Sequence, residues 1–593
     1  MKILLTTVAL TLLLAISYSQ DSRSLPNYMT DYEKSIYGEY LKNLPHDNVQ
    51  DQNPPPGPVR TMAEWEECQG IIITWTSFTS ILGQIVKYAQ VEGKVFIICT
   101  DSNAVKSYLQ ANSIPLVNLR FLITNFDTIW CRDYGPWAVY SNNSDTLRVI
   151  DWIYNRPRPL DDVTPVFFAN YVGIPIHQTI TSPNDLIATG GNFMVDGNGT
   201  GFSSQLILNE NPSKTEAQVN AIMSSYMGIT RYIKMQTLPY DVIHHIDMHI
   251  KLLDEETLLV GQYPTGIADG PQIELNLQYI LDNYLTCYGR PYKVVRIVMP
   301  PDASGNYPNT GGDYRTYTNS LIINKTVIIP NYELRYDTTA LRIYRESMPG
   351  YNVVGIDCNQ IIPSLGAVHC ITKEIGVFEP IFISHAALAN TSNTTQPYEV
   401  KAYIHTKSGV ASAKVYWSLD TASGFSQLNM TAAADTFRAN IPAQPLNTKI
   451  YYYISANSNS GRTVTKPLPA PHGNFQFKVT NTNGITQTGN NVPGKFELYQ
   501  NYPNPFNPTT KIKFDIPNSV GVARLRNGQA YMRPVQLKVY DILGREVATL
   551  VNENLQPGTY SVNWNASNYS SGIYFYRIET EGFVDIKRMI MIK

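Results

Sequence analysis

Between about residue 62 and residue 390, short apolar, β-rich runs alternate with longer stretches in which apolar positions recur every three or four residues. GIIITW (70–75), KVFIICT (94–100), TLLVGQY (257–263), SLIINKTVIIP (320–330) and GVFEPIFIS (376–384) read as strands, and 80–92, 214–228, 270–287 and 338–347 as helices. Their alternation predicts one α/β domain over 61–394. Beyond residue 395 the helical period disappears. EVKAYIHT, AKVYWSLD, FRANIP, KIYYYISA and FQFKVT are short alternating runs parted by turn residues, which predicts an immunoglobulin-like β-sandwich over 395–482. A polar linker at 483–495 leads to a second all-β unit at 496–593, and a polar, proline-ended lead segment at 20–60 precedes the α/β body.

Residues 1–19 combine one basic residue, an apolar run from Ile3 to Ile16 and small residues at Ser17 and Ser19, the pattern of a secretory signal peptide. No later run reaches the length of a membrane-crossing helix, so no integral membrane span is expected. Lys and Arg (46) nearly balance Asp and Glu (48), giving a formal charge of −2. That balance provides no field for nucleic acid. Six widely spaced cysteines match neither a disulfide framework nor a zinc site. The Gly-rich stretches at 189–199 and 308–324 lack the Gly-Lys-Ser/Thr of a phosphate loop, and no cofactor is expected.

Four clusters look unlike core filler. TIWCRDYGPW (128–137) gathers Trp130, Arg132, Asp133, Tyr134 and Trp137; aromatic faces around a carboxylate suit a planar cation, and a buried Arg132–Asp133 brace is the other reading. IHHIDMH (243–249) would put His245, Asp247 and His249 on one face of a strand, for acid–base work or for a metal. PNTGGDYRTYTNSLIIN (308–324) carries Asn319 ahead of a strand. In PSLGAVHCITKEIG (363–376), Cys370 is either a nucleophile or an inert buried thiol, and in a strand His369 would face away from it, so its base is expected elsewhere.

In chain order these clusters, with MAEWEECQGIIITW (62–75), GGN (190–192) and YTNSLIINKTVIIP (317–330), resemble the agmatine deiminase and Porphyromonas-type peptidylarginine deiminase family of guanidine-modifying enzymes. The resemblance implies a pseudo-fivefold α/β propeller, the pentein fold. It implies Cys370 as nucleophile, His245 as general acid–base, Asp133 and Asp247 as guanidinium-binding carboxylates, and Asn319 in the same pocket, without metal or calcium. Trp130 is expected at the substrate. NRPRP (155–159) resembles the peptidylarginine branch, in which Arg156 and Arg158 would bind the carboxylate of a C-terminal arginine; a solvated basic loop is the other reading.

YPNPFNPTT, VYDILGREV, GTYSVNW and SGIYFYRI in the last unit resemble the β-sandwich sorting domain of the type IX secretion system. The expectation is a secreted or cell-surface cysteine hydrolase that converts arginine of peptides or proteins to citrulline and ammonia through a covalent thiouronium. The expected partners are its substrates and the secretion machinery. Deimination of agmatine or free arginine is the alternative within the class, and a non-catalytic cell-surface binding protein is the alternative outside it.

Overall fold

The computed structural model describes residues 25–44, 51–142, 144–480, 486–489, 493–517, 533–567, 569–580 and 582–592. The signal-peptide reading at 1–19 lies outside the described residues, as does part of the linker read at 483–495. The chain divides into two compact units, Met1–Asn276 with Leu285–Pro380 and Leu277–Tyr284 with Ile381–Lys593.

The first unit repeats one motif. Ile250–Leu252 pairs antiparallel with Thr257–Gln262, the helix Gly270–Asn283 follows, and Lys293–Val298 returns parallel to Thr257–Gln262. The same order of short strand, long strand, helix and parallel strand recurs in Leu321–Ile323, Thr326–Asn331, Leu334–Ser347 and Asn352–Asp357. It recurs in Met194–Val195, Thr200–Ser204, Glu216–Met227 and Arg231–Met235, and in Trp137–Ser141, Thr146–Tyr154, Thr164–Val172 and Ile176–Thr179. The fifth copy joins the two ends of the unit, since Lys373–Gly376 pairs antiparallel with Cys68–Thr74, followed by Thr79–Ala89 and the parallel Lys94–Cys99.

Where the long strands are covered they are mostly apolar. Ile71, Ile72 and Ile73 are fully buried, as are Val327, Ile328 and Ile329, and each such side chain contributes roughly 2 kcal/mol. The helix Thr79–Ala89 buries Ile81, Leu82, Ile85, Val86 and Ala89, the stripe expected of a helix lying on a sheet. Glu216–Met227 begins on a capping box between Thr215 and Gln218 and ends at Gly228 with φ +67, where a Cβ would collide with the Val59 carbonyl. The run 376–384, expected as one strand, is broken into the ends of two, Lys373–Gly376 and Phe382–Ser384; the second pairs with Tyr398–His405 in the following unit.

The second unit holds two separate β-rich cores. In one, Val400, Ile404 and Ile441 of a sheet ordered 382–384, 398–405, 436–441, 431–433 pack with Val415, Ile450 and Ile454 of a second sheet. Strict in–out alternation along Tyr398–His405 and Lys449–Ser458 explains the period-two pattern of the sequence. In the other, Ile512, Phe514 and Trp564 share a core with Leu537, Tyr576 and Met589, again from two antiparallel sheets. Among the described residues no helix is long and apolar enough to cross a membrane.

Candidate active site

Each of the five repeats contributes the turn that precedes its first strand. Asp133 lies in the four-residue helix Cys131–Tyr134 before Trp137–Ser141, and Gly190–Asn192 is a 3-10 turn before Met194–Val195. Ile246–Met248 is a similar turn before Ile250–Leu252, Asn319 stands two residues before Leu321–Ile323, and His369–Ile371 turns before Lys373–Gly376. Equivalent ends of equivalent repeats meet, so residues 237 positions apart, such as Arg132 and His369, come into hydrogen-bond contact.

This arrangement corrects two expectations. The 243–249 stretch is not a strand: His245 opens the turn and Asp247 lies inside it. Likewise His369 and Cys370 sit in a turn rather than on opposite faces of a strand, and both belong to the site.

The Cys370 thiol accepts a hydrogen bond from Asn319 Nδ2 at 3.1 Å and lies 3.6 Å from Asp247 Oδ2. Asn319 Oδ1 accepts from the backbone N–H groups of Ala367, His369 and Cys370 at 3.1, 3.0 and 3.3 Å, fixing the turn that carries Cys370 through one side chain. Asp247 Oδ2 pairs with His369 Nδ1 at 2.7 Å, and the opposite ring nitrogen of His369 lies 3.3 Å from Glu64 Oε2. Glu64 in turn holds Lys251 at 2.7 Å and accepts from the Ile322 N–H at 2.7 Å. Asp133 Oδ1 accepts from the Gly191 N–H at 2.9 Å and lies 3.6 Å from His245 Nδ1, near enough for attraction but not for a hydrogen bond.

Arg132 resolves the two readings of its motif. Its guanidinium pairs with Glu374 at 2.7 Å and donates to the His369 carbonyl at 3.2 Å, so Arg132 is the brace and Asp133 is left facing the site. Buried Asp133 Oδ2, Asp247 Oδ1 and His245 Nδ1 have no hydrogen-bond partner. Two carboxyl oxygens in want of donors are what a planar, many-donor cation satisfies.

The titrating groups are tuned together. Burial raises the Cys370 thiol well above its ordinary value, and the charges of Asp247 and Asp133 push it further, against the Ala367 N–H and Asn319. Burial lowers His245, although Asp133 and Asp247 pull the other way. Burial alone would raise Asp247, but its hydrogen bond to His369 carries it below the usual carboxylate range. These directions favour a neutral thiol, a neutral imidazole and an ionised Asp247 near neutral pH.

Gly191 has a steric reason to be glycine: a Cβ there would overlap His245 Nδ1 and come within 2.9 Å of Asp133 Oδ1. Gly191→Ala is expected to displace the imidazole and lower turnover by about 100-fold, measured on whatever substrate the wild type turns over. Unchanged turnover would show that the ring's placement is not critical.

The remaining expected residues lie to one side. The Trp130 ring packs over Gly366, where a Cβ would strike it, and its indole N–H donates to the Leu25 carbonyl at 2.8 Å. Arg156 and Arg158 are 5% and 1% exposed, which excludes the solvated-loop reading. Arg156 Nε donates to the Asn27 carbonyl at 3.0 Å, and Arg158 pairs with Glu33 at 2.7 Å. Sequence reasoning missed His369, Glu64, Lys251 and Glu33. The carboxylates in MAEWEECQG were the available signal for Glu64.

Fold and site define a hydrolase of the guanidine-modifying class. Residues 60–375 match the family described as Porphyromonas-type peptidyl-arginine deiminase, and the chain belongs to that family. Its activity class is deimination at the C–N bonds of arginine or agmatine-like amidines. A Yersinia pestis protein named "Putative agmatine deiminase" is 27% identical over 295 residues, covering 45% of this chain and 79% of the relative. A Mycoplasma mycoides protein of the same name is 24% identical over 328 residues, covering 50% and 86%. An X-ray structure of that description shares 19% identity with a TM-score of 0.50, covering 56% of this chain and 99% of the other. Residues 500–593 match the secretion system C-terminal sorting domain, which marks the chain for export to the cell surface or the medium.

Proposed function

We propose that the chain is a secreted cysteine hydrolase that deiminates arginine at the C-terminus of peptides and proteins, yielding citrulline and ammonia. The observation that carries this reading is the pair of unsatisfied carboxyl oxygens, on Asp133 and Asp247, beside the Cys370 thiol. A guanidinium held between them is fixed in position and neutralised, which removes the charge that keeps the thiol protonated.

The proton of Cys370 passes to neutral His245, and the thiolate attacks the guanidinium carbon to give a tetrahedral adduct. His245 then protonates the departing nitrogen and ammonia leaves, with the amidino group bound to Sγ as a thiouronium. Water enters, gives a proton to His245 and attacks the same carbon; the C–S bond breaks as the adduct's hydroxyl proton passes to Sγ and restores the thiol, the neutral ureido group of citrulline is released, and His245 returns its proton to solvent. Asn319 holds the nucleophile's turn, and His369 with Glu64 orients Asp247.

The five repeats support the pseudo-fivefold propeller as the catalytic scaffold at 61–394. The alternating sheets that follow support an immunoglobulin-like domain at 395–482, joined by the linker at 483–495 to the sorting domain at 496–593. Buried arginines at 156 and 158 favour a substrate that brings a carboxylate. A small guanidine such as agmatine is the second reading, favoured by one observation: Arg158 is already paired with Glu33.

The test compares citrulline formation from peptides ending in arginine, from their C-terminal amides, and from agmatine. The free-acid peptides are expected to exceed the amides in kcat/KM by about 100-fold, the worth of one buried charge pair. Equal rates, or a preference for agmatine, would end the carboxylate reading.

A further inference from the structure

The segment Leu25–Glu33 touches the residues expected to bind substrate, and it does so with main-chain groups. Trp130 Nε1 donates to the Leu25 carbonyl at 2.8 Å, the Asn27 N–H donates to the Ser364 carbonyl at 2.9 Å, and Arg156 Nε donates to the Asn27 carbonyl at 3.0 Å. Arg158 Nη2 donates to the Pro26 carbonyl at 2.7 Å and the Tyr28 carbonyl at 3.3 Å. Donors and an acceptor set along a strip in this way recognise an extended peptide backbone without regard to its side chains.

The strip ends on a carboxylate. Glu33 Oε1 meets Arg158 Nε at 2.7 Å and Glu33 Oε2 meets Nη2 at 3.3 Å, the two-pronged arrangement by which a guanidinium grips a terminal carboxylate. Glu33 belongs to the helix Asp31–Lys42, and of its twelve residues it is the buried one. Ile36, Tyr37, Tyr40 and Leu41 of the same helix are half-buried, and the deeper acid is held in place by its capping box with Thr30.

The fit is also incomplete. Both polar atoms of the Asn27 side chain are buried without a partner, although the residue is 0% exposed. An unsatisfied buried amide weakens the hold of the segment and favours exchange for a better occupant. Trp130 packs over Gly366, where a Cβ would also come within 3.0 Å of the Cys370 Cβ, so the strip borders the reacting groups.

We propose that Trp130, Arg156, Arg158 and Ser364 form a peptide main-chain site and that this chain's own residues 25–33 occupy it, with Glu33 standing where a substrate's terminal carboxylate binds. The inference rests on the peptidyl-arginine reading above and adds that the intact segment competes with peptide substrates, while agmatine, which has no carboxylate, is less affected. A tethered competitor acts at an effective concentration in the millimolar range. Its release is therefore expected to lower KM for peptides rather than to raise kcat.

Two full-length preparations test this: Glu33→Gln, and a chain cut after folding at a protease site engineered between residues 44 and 51. Both are expected to raise kcat/KM on free-acid arginine peptides by about tenfold or more, with little change on agmatine. A synthetic peptide of residues 25–42 is expected to inhibit the cut chain in competition with peptide substrate, and its Glu33→Gln version to bind more weakly by calorimetry. Equal peptide kinetics before and after cutting, with no binding of the synthetic peptide, would overturn the proposal. If neither form turns over peptides while both accept agmatine, the peptidyl-arginine reading fails instead. In that case Glu33-dependent binding of the 25–42 peptide to the cut chain still supports the occupancy, and its absence overturns it.

Discussion

Cys370→Ala is expected to lower ammonia and citrulline release by at least about four orders of magnitude, because the proposed covalent route has no substitute for the Cys370 sulfur. The fold should survive, since removing one sulfur from a packed site costs about 1 kcal/mol. Matching thermal unfolding of variant and wild type checks that. Turnover within tenfold of wild type would remove Cys370 from the chemistry. The state of the thiol predicts a second signature. Burial and the charges of Asp247 and Asp133 keep it protonated at rest, so a neutral alkylating reagent should label it slowly. An amidine-bearing alkylator carries the cation that those carboxyls lack, and should label it faster at equal concentration. An inert structural thiol would show no such preference.

The alternation of strands and helices is visible in the sequence where the long strand is buried and reads as an apolar run, as in Ile71–Ile73 and Val327–Ile329, whereas buried Thr200–Ser204, TGFSS, gives no such signal. The fivefold repetition is not visible in that way. The first strands have two residues in Met194–Val195, three in Ile250–Leu252 and Leu321–Ile323 and four in Lys373–Gly376, and the five-residue Trp137–Ser141 is buried along its whole length, so none shows an alternating period. Those short strands follow the turns that carry Asp133, Gly191, Asp247, Asn319 and Cys370. Their clusters stand out by composition, while their convergence is a property of the repeat. The resemblance of ordered motifs supplied it where periodicity did not.

Two misreadings share a cause. Strand geometry applied to 243–249 and to the neighbours of Cys370 in 363–376 pairs His245 with Asp247 and turns His369 away from Cys370. Both stretches are turns, in which neighbouring side chains diverge by less than a strand requires. The lead segment hid its helix for a different reason. Asp31–Lys42 buries its apolar positions Ile36, Tyr37, Tyr40 and Leu41 only by half, and its one buried side chain is a carboxylate paired with an arginine 125 residues away, so the hydrophobic period is weak.

Asp247→Asn is expected to move two observables in opposite directions. Asparagine keeps the shape of the side chain and removes the charge that would pair with the substrate cation, so kcat/KM should fall by about a thousandfold, some 4 kcal/mol. The substrate-free thiol should respond the other way. The Asp247 charge is the largest cause, after burial, of the raised Cys370 value, and at 3.6 Å the loss of that repulsion favours the thiolate. Labelling of the resting enzyme by a neutral alkylating reagent should therefore accelerate in the variant whose turnover has collapsed. A purely structural role for Asp247, through its 2.7 Å contact with His369, predicts a loosened site with slower turnover and no ordered change in the thiol. If labelling slows along with turnover, Asp247 acts by shape. If it quickens, the carboxylate that suppresses the nucleophile at rest is the same one that, once paired with a guanidinium, releases it.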